Sequence, residues 1–546
     1  MKNLREKLAN ATIADLCLLA SAEYKDNPAF SMLKEGEITR KVTYKQMGSR
    51  SRQLASALRQ LGIETGDRVL LFSDNCPEWP ISYFGIALAG AVSVPLLTGF
   101  SAEQIQHISE HSGVSAICLN KDSEEKFAEI AKLPMFSKLP FIYIDTMLED
   151  ENANLNMTIS QNGEKKQIQV NPCNESKDYA LRSPDDMATI IYTSGTQGNS
   201  KGVMLSSRNI LASSLSSLAY ITTTTKDKFL SVLPLAHSYE CSLGFLAPVF
   251  GGSSITYLDR PPAPSVLLPA LNVVRPTAMI SVPLLIEKVY KNALAPKLSK
   301  NKLYNFPLTR PLAARIAGKK LIKALGGKLK FFGVGGAPLN PEVENFLYKA
   351  RFPFAVGYGL TEAAPLVAGN KPLNFVLGSG LSAPAGVQLK IDNGEILVKG
   401  PNVMLGYYND KEKTDEVITS DGWLRTGDIG GINAKDRLFI RGRLKALILG
   451  PSGENIYPEE IEGLLGSNQI VEEALVYLGK MGELIAMVRI NEAAKIATDL
   501  IDQTLEELRV WVNKKLAAFS RLSKIEIRYE PFEKTPTMKI KRYLYV

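Results

Sequence analysis

Short β-branched runs alternate with helix-period stretches along most of this chain, and that alternation restricts the fold more than any other feature. RVLLF (Arg68–Phe72), AICL (Ala116–Leu119) and MATIIYT (Met187–Thr193) read as buried strands. Between such runs lie helical periods; Leu211, Leu215 and Leu218 fall on one helix face. Strands alternating with helices predict an α/β fold built as a doubly wound sheet. At 546 residues the chain exceeds what one core supports, so at least two domains are expected. The pattern changes after about residue 445. Ala474–Leu478, Leu484–Ile490 and Ile525–Tyr529 read as strands, and Ile501, Leu505, Leu508 and Val512 form a helical stripe. We expect a large N-terminal α/β domain over 1–444 and a small, mobile α+β domain over 445–546.

Two segments test this reading. Ile81–Phe100 carries no charge and is nominally long enough to span a bilayer. Its glycines, serines and proline fit an apolar helix that breaks at Gly90 and continues as a short buried strand. Asp150–Lys177 is polar and weakly periodic, and reads as an insertion or surface excursion.

The net charge of +8 is mild for this length, and nucleic acid is not expected as a partner. Five cysteines (Cys17, Cys76, Cys118, Cys173, Cys241) show no C-x-x-C pairing, which argues against zinc and disulfides and suits a reducing cytosol. MKNLREKLANATIADL has charges but no apolar core segment, unlike a signal peptide. A cytoplasmic protein with at most loose peripheral contact to membranes is expected.

The stretch IIYTSGTQGNSKGVML (Ile190–Leu205) places a donor-rich, flexible loop between two apolar runs. Backbone N–H groups in such loops form anion sites, so phosphate is the first candidate ligand. The P-loop pattern fails, because Lys201 is followed by Gly202 and not by Ser or Thr. Further punctuated segments follow: FFGVGGAPL (Phe331–Leu339), GYGLTEAAP (Gly357–Pro365), GWLRTGDIG (Gly422–Gly430), RGRLKALILGPSGENIYPEEIE (Arg441–Glu462) and KTPTMKIKRY (Lys534–Tyr543). Each alone reads as a turn. Their order and spacing together resemble the adenylate-forming superfamily of acyl-CoA synthetases, luciferases and peptide adenylation domains. The loop matches the pattern [ST]SGTTGxPKG with Gln197 and Ser200 as departures. Within the superfamily, SDNCPEWPISYFGIALAGAVSVPL, LPLAHSYE, SGENIYPEEIE and TPTMKIKR most resemble long-chain fatty acyl-CoA synthetases.

The resemblance implies a two-step reaction. A carboxylate attacks the α-phosphate of magnesium-bound ATP, and a thiol of CoA or of an acyl carrier protein then attacks the acyl carbonyl. The first step brings an anion to a polyanion, so it needs placed cations and dipoles more than an acid–base pair. By resemblance, Thr193, Ser194, Gly195, Thr196, Gly198 and Lys201 wrap the β- and γ-phosphates. Gly335, Gly336 and Ala337, with Tyr358 and Gly359, form the adenine slot. Thr361 meets the α-phosphate, Glu362 holds Mg²⁺, and Asp428 and Arg443 grip the ribose. Each has a plainer reading: a mobile loop, a carboxylate at a helix N-terminus, a surface ion pair.

His237, in LPLAHSYE, corresponds to the residue near the acyl carboxylate; a satisfied structural histidine is the competing reading. His107 and His111 have helical i, i+4 spacing but no further metal ligand, which favours a solvated face. Lys539 corresponds to the adenylation lysine, although Met538 stands where the family usually has glycine. Lys541, two residues on, is its competitor. Lys445 corresponds to the hinge. Cys241–Leu258 is uncharged and suits either an acyl-tunnel wall or plain core. The expected substrates are a fatty acid, ATP and CoA. A carrier-protein ligase and a catalytically silent relative are the alternatives, and retention of Lys201, Glu362, Asp428, Arg443 and Lys539 argues against silence.

Overall fold

The computed structural model describes residues 10–128, 130–148, 155–161, 164–170, 182–193, 200–373, 376–378, 380–449, 455–479, 482–491, 494, 496–535 and 539–545. The α/β part is built on two large sheets. The nine-stranded sheet runs, in spatial order, through Gly406–Tyr407, Lys201–Ser206, Met187–Thr193, Val92–Leu96, Arg68–Phe72, Val114–Leu119, Phe141–Tyr143, Leu155–Gln161 and Glu164–Val170. Its centre is parallel and both edges are antiparallel hairpins. The eight-stranded sheet runs from Leu366–Gly369 through Phe354–Gly359, Phe331–Val334 and Ala278–Ser281 to Glu37–Thr43. A four-stranded antiparallel sheet, Gln388–Asp392, Glu395–Lys399, Leu424–Ile432 and Leu438–Arg443, follows.

The expected strands Arg68–Phe72 and Met187–Thr193 form as read, and Ala116–Leu119 lies within Val114–Leu119. The uncharged run is a buried helix, Glu78–Leu88, that turns at Gly90 (φ 79°) into the strand Val92–Leu96. Among the described residues no helix is long and apolar enough to cross a membrane. The segment read as an excursion is, where described, a hairpin that extends the sheet edge. Met157 and Ile159 point inward from its first strand, while Glu164–Gln167 face water. The polar outer strand masked that periodicity.

Local signals explain the element that leads away from the donor-rich loop. Ser206 caps the helix Ser207–Ser217 with a reciprocal capping box to Asn209. Asn209 also donates to the carbonyls of Pro401 and Val403, at 2.9 and 2.8 Å. It thereby fixes the loop that delivers Gly406 and Tyr407 to the sheet edge.

A second hydrophobic core is separate from the first. It is built from Ile456, Ile461, Leu465, Val471, Val476, Leu484, Val488, Leu505, Leu508, Val512 and Ile525. Here the strands Val471–Leu478, Leu484–Ile490 and Lys524–Arg528 pack against helices Pro458–Ser467 and Ile501–Asn513. This α+β unit rests on the larger one through helix Pro458–Ser467 and the turn after it. Asn340 Nδ2 donates to Gly463 O at 3.3 Å, and Lys291 Nζ donates to Gly466 O.

Candidate active site

The strands Met187–Thr193 and Lys201–Ser206 pair with Thr193 opposite Lys201, so the donor-rich loop is the tip of a hairpin. Ser194, Gly195, Thr196 and Gly198 lie outside the described residues. Lys201 is described: its Nζ sits 4.7 Å from the Tyr407 ring centroid. The Tyr407 hydroxyl donates to Glu362 Oε1 at 2.9 Å. Burial and the Glu362 charge raise the Tyr407 pKa, so the phenol stays a donor. One aromatic residue therefore joins Lys201 to Glu362. The hairpin is propped from below by His111, whose Nδ1 lies 2.7 Å from the Tyr192 hydroxyl and whose ring meets Tyr408 edge-on. His111 is thus not on a freely solvated face, as the sequence suggested; a packing role replaces that reading. Among the described residues no group of three or more His, Cys, Asp or Glu side chains could hold a metal ion.

Gly335 and Gly336 end the strand Phe331–Val334, with Gly336 at φ 84°. A Cβ at Gly335 would approach the Tyr239 ring to 3.1 Å, so glycine lets that ring close over the turn. Ala337 is exposed beside them. Tyr358 and Gly359 end the neighbouring strand. A Cβ at Gly359 would lie 2.0 Å from Pro365 O, because the chain folds back sharply after Glu362. Ser242 Oγ and Asn402 Nδ2 bind the carbonyls of Ala364 and Ala363, at 2.9 and 3.2 Å. The loop carrying Thr361 and Glu362 is fixed from both sides. Thr361 Oγ1 is 3.4 Å from Ser238 Oγ, one residue from His237.

Asp428 and Arg443 face each other in the antiparallel pair of the four-stranded sheet. Arg443 Nε binds Asp428 Oδ1 at 2.7 Å, and the Tyr358 hydroxyl donates to Oδ2 at 2.6 Å. Burial raises the Asp428 pKa, and the Arg443 charge and the Tyr358 hydrogen bond oppose that rise.

Lys539 comes to this cluster from the α+β unit. Its backbone closes a turn with Thr535 through bonds of 2.8 and 3.2 Å. Its side chain is exposed to water. Desolvation by the protein around it, and then the charge of Arg443, nevertheless lower its pKa, while Asp428, Glu459 and Glu362 pull the other way. Lys541 instead pairs with Glu533 at 3.3 Å, outside this group. His237 feels Lys539 as well: burial, and then the Lys539 charge, pull the imidazole down to about 4. Its Nδ1 accepts from the Tyr239 amide at 3.2 Å, which leaves the proton of the neutral ring on Nε2. Lys445 lies on the exposed turn Leu444–Ala446, just past Arg443.

Six segments, most of them far apart in sequence, thus bring Lys201, His237, Thr361 with Glu362, Asp428, Arg443 and Lys539 to one cleft. A cleft with cations on two sides and single, separated carboxylates can hold a polyphosphate and offset charge developing at one phosphorus. Mg²⁺ binds nucleotides through one or two carboxylates plus phosphate oxygens and water. Glu362 fits that need: Tyr407 orients one of its oxygens, and it is a hard oxygen donor. Sequence reasoning missed Tyr407, Ser238, Tyr239 and Glu459. Nothing in the local pattern around Gly406-Tyr407-Tyr408 marks that tyrosine; only the pairing of Val203 with Tyr407 reveals it.

Behind His237, residues Glu240–Leu246 form a π-helical turn, an irregularity frequent at functional sites. Glu240 is fully buried. Its Oε1 accepts from Ser231 Oγ at 2.6 Å and its Oε2 has no partner. Burial pushes its carboxyl up to about 8. Phe245 packs edge-on against Phe30, Trp79, Tyr83 and Phe84.

This fold and cleft define a two-domain adenylate-forming ligase. Residues 19–408 match the AMP-binding enzyme family, and the chain belongs to it. Within the family it is an AMP-forming acid–thiol ligase. It is 29% identical to a long-chain-fatty-acid–CoA ligase of Mycobacterium bovis, over 92% of this chain and 90% of that protein. It is 30% identical to the peroxisomal long chain acyl-CoA synthetase 6 of Arabidopsis thaliana, over 82% of this chain and 68% of that one. A chloroplastic long-chain-fatty-acid–[acyl-carrier-protein] ligase of Arabidopsis thaliana is 28% identical, over 93% and 81%. Among solved structures, O-succinylbenzoate CoA synthetase of Bacillus subtilis in complex with ATP and a magnesium ion superposes with a TM-score of 0.74, at 22% identity, covering 97% of this chain and 98% of that one.

Proposed function

We propose that this protein joins a fatty acid to the thiol of CoA in two steps at this cleft. The observation that carries the reading is that the Lys539 charge acts across the two domains on Arg443, Asp428, Glu362 and His237, around the Arg443–Asp428–Tyr358 cluster. In the first step a substrate carboxylate oxygen bonds to the α-phosphorus of ATP and the bond to pyrophosphate breaks. Lys201 and the hairpin loop hold the departing β- and γ-phosphates. Thr361 and Lys539 donate to the α-phosphate as charge develops there. Asp428 accepts from the ribose hydroxyls, with Arg443 and Tyr358 setting its orientation. The glycine turn Gly335–Ala337, with Tyr358 and Gly359, accepts the adenine. Bound at Glu362, magnesium supplies neutralisation of phosphate charge. His237, neutral and donating from Nε2, orients the acid. In the second step the thiol sulfur bonds to the acyl carbon, AMP leaves with the former carboxylate oxygen, and the thiol proton is lost.

Three features support a fatty acid over a polar acid. The segment Cys241–Leu258 behind His237 carries no charge, its neighbour Glu240 is held neutral, and the first two relatives above are named for long-chain acids. We place the division between the domains at 444/445, with Lys445 as hinge. A second acceptor, the phosphopantetheine of an acyl carrier protein, is kept in view by the Arabidopsis carrier-protein ligase. The test is fatty-acid-dependent exchange between ATP and pyrophosphate, followed by product analysis with CoA and with carrier protein supplied separately. Exchange with a long acid and acyl-CoA as product is expected. Exchange with only short or polar acids, acylation of carrier protein alone, or no exchange would each overturn the reading.

A further inference from the structure

The charge of this chain is unevenly placed. Between Glu287 and Glu342 there is no acidic residue, yet Lys288–Lys330 contains 12 lysines and arginines, more than the whole net charge of +8. The rest of the molecule is therefore net negative. Four of these cations fall on the exposed face of a single helix. Helix Arg310–Ala324 buries Ala313, Ala314, Gly318 and Leu321. It is seated closely there, since a Cβ at Gly318 would come within 2.3 Å of Ala350 O. Its opposite stripe, Leu312, Arg315, Ile316, Lys319, Lys320 and Lys323, is exposed at i, i+3, i+4, i+7, i+8 and i+11 spacing. None of these four cations has an ion-pair partner among the described residues.

Large apolar side chains stand at the tip of the same surface. Leu308 is 85% exposed, and Leu303, Phe306 and Leu312 are each more than half exposed. The tip is held in shape and is not a frayed end. Thr309 Oγ1 donates to Leu303 O at 2.6 Å, Arg310 Nε donates to Tyr304 O at 2.8 Å, and Asn305 Nδ2 donates to Ser299 O at 2.7 Å. Fixed apolar residues beside a stripe of unpaired cations match an interface with acidic headgroups outside and hydrocarbon beneath. A bare polyanion would need the cations and not the leucines.

We propose that the surface formed by Leu303, Phe306, Leu308, Leu312 and the Arg315–Lys323 stripe docks this protein on an anionic lipid bilayer. The apolar tip enters the headgroup region and the lysines lie against the lipid phosphates. The proposal does not rest on the acyl substrate, and its binding assay uses neither ATP nor acid. The full-length protein is floated with vesicles of phosphatidylcholine alone and with vesicles containing phosphatidylglycerol. Co-flotation only with the anionic vesicles is expected, weakening as salt rises. The double variant Phe306→Ser with Leu308→Ser should lose on the order of tenfold in binding. The triple variant Arg315→Glu, Lys319→Glu, Lys320→Glu should lose on the order of a hundredfold. Melting temperature and ATP–pyrophosphate exchange, measured without vesicles, should match the parent in both. Equal flotation with neutral vesicles, no flotation, or binding that ignores the apolar substitutions would overturn the proposal. So would tighter binding of this surface to acyl carrier protein or to duplex RNA than to anionic vesicles.

Discussion

Tyr407 shows how one side chain can organise charges that sequence places far apart. Its ring lies beside Lys201 and its hydroxyl fixes Glu362. Tyr407→Phe keeps the ring and frees the carboxylate, so Mg-ATP affinity should fall roughly tenfold, the usual size of an effect on a metal ligand's supporting partner. Calorimetric titration checks this, and a change below twofold would remove Tyr407 from the site. Glu240 is the complementary case, a carboxyl that folding keeps neutral. Its folded value of about 8 exceeds its ordinary 4.5. The folded protein therefore retains a proton that the unfolded chain has released. Stability from this group is complete below about pH 4.5 and is lost as pH rises through about 8. Glu240→Gln, neutral at every pH, should gain melting temperature over the parent progressively from pH 5 to pH 8. A difference that stays constant across that range would mean Glu240 is ionised when folded. His237 has the opposite sign: the stability tied to its neutral form is present above about 6.5 and lost as pH falls toward about 4. It stays neutral at pH 6, where an ordinary histidine begins to charge.

At the scale of elements, the turn after Gly359 decides where Thr361 and Glu362 stand. Gly359→Ala puts a Cβ onto Pro365 O, and the turn must open. We expect a loss of about 2 kcal/mol or more in unfolding free energy, with weaker ATP binding. Gly463→Ala is the control. It lies inside helix Pro458–Ser467 with nothing within 4 Å of the added carbon, and it should stabilise by about 0.5–1 kcal/mol. Denaturant unfolding of the two variants separates a glycine required by packing from one that is merely tolerated. Equal effects would show that the approach to Pro365 relaxes freely. Elements of this kind were legible in advance where the period was clear. Met187–Thr193 and the helix carrying Leu505, Leu508 and Val512 form where their apolar spacing puts them. The hairpin of Leu155–Gln161 and Glu164–Val170 was not, because its outer strand is nearly all polar and is itself the edge of the sheet.

Across the whole molecule, the placement of Lys539 beside Arg443 corresponds to an arrangement suited to the first half-reaction. On the proposed function, thiol attack needs a different approach to the acyl carbon, and we propose that the small domain turns between the steps. Lys539→Ala should slow adenylation on the order of 10²–10³-fold, as loss of one transition-state donor does. Conversion of supplied acyl-adenylate should be largely intact. Lys445→Pro should do the reverse, because proline fixes φ near −65° and hinders rotation. Single-turnover kinetics of each half-reaction decide the matter; equal slowing of both steps by both substitutions would exclude alternation. If the acyl chain is buried, each methylene contributes about 0.8 kcal/mol, or roughly 6 kcal/mol over eight of them before ordering costs. Equal kcat/KM for acetate and palmitate would refute burial of the chain.

Residue order alone sets what depends on neighbours along the chain. It marked the alternation of strands and helices, the change of pattern near residue 445, and the order of glycine-rich turns from which the family could be read. These are set by residue spacing and by backbone conformations that few residue types allow. Which of the marked residues come together is set by long-range packing. Lys201, Glu362 and Tyr407 are joined by strand pairing at a sheet edge, and Lys539 reaches Arg443 only because two separately packed cores abut. The same holds for the basic stripe: its charge was diluted in a composition averaged over the chain, and burial of the opposite helix face turned it into a surface. Contacts between distant segments depend on how cores and edges pack, and no local spacing carries that information.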